Sequence, residues 1–92
     1  MSKYESVIIT KQDENITEEI SEKVGTLIKD NGILTHVDCI NNKQLAYPVK
    51  GNFYGNYLIF YYESTAKFVQ ELERQFRLAE DIIKFMTIKR ED

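Results

Sequence analysis

Two stretches of helix-period apolar residues, each enclosed between runs of β-forming residues, constrain this chain more than any other feature. Ile16, Ile20, Val24, Leu27 and Ile28 recur at the spacing of one helix face, and Phe68, Leu72, Phe76 and Ala79 do so again. Each helix therefore carries one apolar stripe that has to be buried. Around them lie four runs rich in β-branched and aromatic residues: Tyr4–Thr10, Ile33–Ile40 with a continuation through Leu45, Tyr47 and Val49, Tyr57–Tyr62, and Ile82–Ile88. The order β-α-β-β-α-β predicts an α+β fold of the ferredoxin-like split βαβ plan, a four-stranded antiparallel sheet with two helices on one face. At 92 residues the chain makes one domain, residues 1–92, too small for a large enclosed active site.

Local signals place the boundaries. Thr17 is the N-cap of a first helix over residues 18–30, with Glu18 and Glu19 at the positive end of its dipole, Gly25 a weakness in its middle and Asn31-Gly32 its stop. Lys11–Asn15 is the loop before it. Asn41-Asn42 allow a bulge in the second strand, and Pro48, which has no N–H to give, puts that strand at a sheet edge. Lys50–Asn56, with two glycines and three asparagine or lysine neighbours, reads as a turn. The third strand is apolar on both faces and so is central, with the first strand central beside it and the second and fourth at the edges. Ser64 caps the second helix, whose Lys67, Glu71, Arg74 and Glu80 face water and whose Glu73 and Arg77 stand at i,i+4 spacing. Lys89–Asp92 form a short charged end.

The chemistry-bearing residues are few. His36 has no Cys, His or paired acid at ligand spacing, and the single cysteine, Cys39, reads as a small buried apolar residue, so neither a metal nor a cofactor is expected. A Gly-rich phosphate loop is absent, and Lys11-Gln12-Asp13-Glu14-Asn15 repels anions where a small acyl phosphatase of this fold would need an arginine cradle. Neither catalysis nor a small-molecule substrate is expected on these grounds. No apolar run is long enough to span a bilayer and no leader pattern is present, which makes cytoplasm the expected compartment and no membrane the expectation.

A net charge of −3 argues against nucleic acid, but the distribution does not. Acids crowd the helices, whereas residues 39–62 contain no Asp or Glu at all and hold Lys43, Lys50 and seven aromatics. A two-layer fold would thus be acidic on its helical side and basic toward its strands. Both parities of the strands are apolar, with Tyr57, Ile59 and Tyr61 opposite Leu58, Phe60 and Tyr62, so one set faces away from the helices, either as amphipathic tyrosines that tolerate a wet sheet face or as a partner surface. Open-face aromatics also characterise the RNA-recognition motif, but its strand-three signature needs Gly and a basic residue, and Tyr57–Tyr62 has neither.

Tyr4-Glu5 at the opening of the first strand, Lys43-Gln44-Leu45-Ala46-Tyr47-Pro48-Val49 in the second, Gly55 followed by Tyr57, and Glu71-Leu72-Glu73-Arg74 with Arg77 and Glu80 together resemble the bacterial small-subunit ribosomal protein six family over essentially the whole length. The Leu-Ala-Tyr-Pro segment is the specific part of that resemblance. It implies a non-catalytic structural protein of the ribosome that binds the central domain of small-subunit ribosomal RNA together with small-subunit ribosomal protein eighteen. Carried onto this chain, it implies RNA contacts at Lys3, Tyr4, Lys43, Lys84 and Lys89, and a partner edge at Leu45, Tyr47, Pro48 and Val49. The family usually has glycine where this chain has Asn41, and asparagine keeps a left-handed bend available there. The competing expectation is a ferredoxin-like small-molecule-sensing or protein-interaction module, which would place a glycine-rich loop after the first strand, where this chain has none.

Overall fold

The structure is a computed structural model that describes residues 1–90. Its elements are β1 (Ser2–Thr10), α1 (Glu14–Asn31), β2 (Ile33–Val49), β3 (Asn52–Ser64), α2 (Ala66–Leu78) and β4 (Ile82–Arg90). They build one antiparallel sheet in the order β2-β3-β1-β4, which leaves β2 and β4 at the edges as the proline and the apolar third strand predict.

Even-numbered residues of β1 and β3 face the helices. Ile8, Leu58, Phe60 and Tyr62 meet Val24 and Ile28 of α1 and Val69, Leu72 and Phe76 of α2 in one core. Tyr4 belongs to it, stacked on Tyr62 with ring centroids 5.8 Å apart. Polar groups inside the core are satisfied: Ser6 Oγ lies 2.8 Å from the Tyr62 hydroxyl and 2.9 Å from that of Thr87. Burial pushes the Tyr62 phenol up from its ordinary range, because the phenolate would be stranded away from water.

The local boundaries differ from expectation for identifiable reasons. Helix α1 starts four residues earlier, capped by Asp13, whose carboxylate accepts from the Asn15 and Ile16 N–H groups. Thr17 is instead buried one turn inside, its hydroxyl 2.7 Å from that of Thr10 and accepting from Asn56 Nδ2 at 2.9 Å. Thr65, not Ser64, caps α2, while Ser64 is buried. The ion pair on α2 is Glu71 with Arg74, not Glu73 with Arg77; Arg77 lies over the Phe85 ring. Cys39 is exposed rather than buried, because it sits on the edge strand past Leu34 and Val37, which are the residues of that stretch packed on the core. The left-handed residue of the β2 bend is Asn42 (φ 56°), one position after Asn41, and its N–H donates to Asn56 Oδ1. Lys89 and Arg90 complete β4 and do not form a separate end; Glu91 and Asp92 lie outside the described residues.

The largest departure is the β2–β3 connection. Only Lys50 and Gly51 turn, with φ 49° and 81° and Val49 paired to Asn52, the type I′ geometry whose twist matches a hairpin. Asn52–Asn56 belong to β3. Between Gln44 and Val49 the register slips, so Leu45–Pro48 bulge out opposite a single β3 residue.

Candidate binding face

Among the described residues, nothing but the bent β2–β3 hairpin at one end lies over the face of the sheet away from the helices. Register aligns Lys3, Glu5, Val7 and Ile9 of β1 with Glu63, Tyr61, Ile59 and Tyr57 of β3 on one side, and with Arg90, Ile88, Met86 and Lys84 of β4 on the other. Its middle row is apolar except at the β2 edge, where Asp38 lies beside Ile59: Val7 and Ile59 are half-buried and Met86 is exposed, with Ile88 exposed one row toward Lys3 and Ile40 exposed in the row of Lys84.

At one end the long hairpin bends back onto the sheet. Leu45 (8% exposed) packs with Ile9 and Ile83, against Val49 and Tyr57. Gly55 makes this approach possible, since a Cβ there would stand 2.6 Å from Ile9 Cγ2 and 3.1 Å from the Thr10 carbonyl oxygen. Lys84 Nζ donates to the Tyr47 hydroxyl at 3.2 Å and lies 5.3 Å from the centre of its ring. From the β2 side, Lys43 Nζ sits 4.9 Å from the centre of the Tyr57 ring. Such placements leave both ammonium groups in water while holding their stems over apolar surface.

The opposite end is an open groove of about 480 Å³ lined by Lys3, Tyr4, His36, Asp38, Tyr61 and Arg90, among others. His36 Nε2 lies 2.7 Å from Asp38 Oδ1, and Arg90 donates to Glu5 at 2.9 Å. Partial burial, with the Glu5 and Asp38 carboxylates nearby, raises the Tyr61 phenol above its ordinary range.

The expected RNA group is therefore divided. Lys3 and Lys84 lie on the open face about 20 Å apart, six strand residues at the usual rise. Lys43 joins Lys84 at the hairpin end. Lys89 pairs with Tyr4 and follows the helix-side parity of the edge strand, and Tyr4 itself is 7% exposed. Of the expected partner edge, Tyr47 and Pro48 are exposed, whereas Leu45 and Val49 are turned into the sheet. The involvement of Arg90 and Tyr61 at the groove had no sequence signal of its own; the long-range register β1 makes with β3 and β4 creates it. The acid-rich side is the helical layer, where a groove of about 300 Å³ between α1 and α2 is walled by Glu19, Glu80 and Asp81.

Among the described residues no three His, Cys, Asp or Glu side chains are placed to hold a metal, and no helix is long and apolar enough to cross a membrane. The chain is thus a ferredoxin-like protein with one largely unroofed sheet face, apolar toward its middle and charged at both ends. The family profile described as ribosomal protein S6 matches residues 3–89. The small ribosomal subunit protein bS6 of Syntrophobacter fumaroxidans is 36% identical over all of this chain and 65% of its own length; that of Desulforapulum autotrophicum is 38% identical over 96% of this chain and 59% of its own. The chain thus spans roughly three fifths to two thirds of those two relatives. The crystal structure of 30S ribosomal protein S6 from Thermotoga maritima superposes with a TM-score of 0.90 at 28% identity, covering 97% of this chain and 87% of that one. The chain belongs to the ribosomal protein S6 family, a family of small-subunit ribosomal proteins and not of enzymes.

Proposed function

We propose that this protein is a structural, RNA-binding component of the small ribosomal subunit that docks on the central domain of small-subunit ribosomal RNA together with small-subunit ribosomal protein eighteen. The open face carries this reading: Lys43 and Lys84 stand at its hairpin end with no carboxylate on the hairpin beside them, Lys3 and Arg90 stand at the other end among Glu5, Glu63 and Asp38, and most of the remaining carboxylates lie on the helical layer behind. Lys3, Lys43 and Lys84 reach phosphates from that face and Lys89 from the flank of β4, positioning the protein with little direct reading of bases. Tyr4 serves this surface from beneath, as packing that fixes the start of β1. Tyr47 and Pro48 meet the partner protein, and Leu45 and Val49 hold that segment in place. The partner supplies positive charge that a chain of net charge −3 lacks. The whole acts as a single domain in the cytoplasm, as part of the ribosome.

The test is binding of the protein to a central-domain fragment of the ribosomal RNA, with and without protein eighteen, at two salt concentrations. Weak binding that tightens with the partner, and a salt slope that falls by about 0.7–0.9 for each of Lys3, Lys43, Lys84 and Lys89 changed to Gln, is the expected result. No binding in either condition sinks the proposal.

A further inference from the structure

We propose that the tip of the β2–β3 hairpin is a stacking contact for unpaired RNA bases, carried by Phe53 and Tyr54 with Lys50 beside them; this rests on the RNA-binding reading above. Phe53 and Tyr54 are 62% and 45% exposed, large rings on the projecting end of a hairpin, where burial gives them nothing to do. Strand alternation sends them to opposite sides, Phe53 to the side of Tyr57 and Lys43, Tyr54 to the other. Two rings so placed each offer a free π-face, which any base can use regardless of its sequence.

The surrounding charge selects nucleic acid over an acidic or a purely apolar partner. The hairpin, residues 39–62, has no carboxylate, and it carries Lys43 and Lys50, with Lys84 held against it through Tyr47. In the loops at that end of the sheet, Asp13 is occupied in capping α1, Asp81 is 3.3 Å from Lys11, and Glu80 lines the groove between the helices. Lys50 itself occupies a left-handed position where Asn or Gly would fit with less strain. A cation is thus held at the point of the hairpin against local backbone preference.

The experiment measures fluorescence anisotropy of a short labelled single-stranded oligouridylate and of a blunt RNA duplex of equal length, across a salt series. Phe53→Leu with Tyr54→Leu keeps apolar, strand-compatible side chains but removes both rings. We expect it to weaken single-strand binding roughly five-fold or more with an unchanged salt slope, because stacking releases no counterions, and to leave duplex binding as it was. Phe53→Trp should restore or exceed wild-type affinity, and Lys50→Gln should lower the slope. Equal single-strand affinity in the leucine variant, or equal loss on the duplex, overturns the inference. So does a variant that binds RNA normally but loses affinity for protein eighteen, which would make the tip a protein contact. If the unaltered protein binds neither these probes nor the ribosomal fragment, the broader RNA reading fails instead.

Discussion

Replacing Gly55 by alanine isolates the close approach that lets the hairpin lie on the sheet. Gly55 is not in the left-handed region, so relief of glycine's excess unfolded-state freedom alone would stabilise the variant by about 0.4–1 kcal/mol. Against this, the new Cβ would stand 2.6 Å from Ile9 Cγ2 and 3.1 Å from the Thr10 carbonyl oxygen. Ile9 is enclosed by Leu45, Ile83, Val49 and Tyr57, and the Thr10 carbonyl is main chain in a central strand, so neither can retreat cheaply. Overpacking of this kind costs about 1–3 kcal/mol, leaving a net loss centred on about 1.3 kcal/mol and reaching at most about 2.6 kcal/mol. For a domain of this size each kcal/mol lowers Tm by about 4–8 °C, readable by far-UV circular dichroism alongside a urea titration. In an Ile9→Ala background the same substitution should cost less, with a coupling of at least about 0.5 kcal/mol. A Gly55→Ala protein as stable as the parent, or an equal cost in both backgrounds, would refute the steric argument.

Gly25→Ala should act in the other sense: the added methyl would meet Leu34 Cδ2 at an ordinary 3.7 Å in the middle of α1, so chemical denaturation should show a gain of about 0.5–1 kcal/mol. Asn56→Ala removes the acceptor of the Asn42 N–H and the donor to Thr17, and an equilibrium unfolding curve should show a loss of about 1–3 kcal/mol. Glu71 should titrate far below the other glutamates in a carboxyl-resolved NMR series. Hydrogen bonds from Arg74 and then Gln75 lower it from 4.5 to about 2, and Arg74→Gln should return it most of the way. Because the folded value is depressed, the pair's contribution is present above about pH 4.5 and disappears as pH falls toward 2; at this exposed site it is small.

Element order and the edge position of β2 were legible in the sequence because each rests on short-range facts: helix-period stripes, a proline without a donor, a strand apolar on both sides. The cap of α1 was not, since Asp13 and Thr17 are both competent caps locally. The choice between them is made by Thr10 and Asn56, which take the Thr17 hydroxyl into a buried network from distant strands. Gly55 and Asn56 read as turn residues and are strand residues, one chosen for lack of a side chain against Ile9 and the other for its amide. The same holds for the face itself. That one strand parity would be open followed from the topology, but the curl that buries Leu45 and brings Tyr47 to Lys84 depends on packing that no local pattern encodes.

The position of β1 between β3 and β4 has a further meaning for a chain made from its N-terminus onward. Strand β1 finds its partners only in strands made after it: Tyr57–Tyr62 along one edge and, later still, the strand that sets Arg90 opposite Lys3. Until residue 90 has emerged, Val7, Ile8 and Ile9 present an unanswered edge that another nascent chain could join. Helix α1 and the β2–β3 hairpin can form on the way and β3 can pair with β1, but the other edge of β1 is closed only by β4. For this architecture, premature termination anywhere before β4 yields an open, association-prone edge in place of a smaller stable domain.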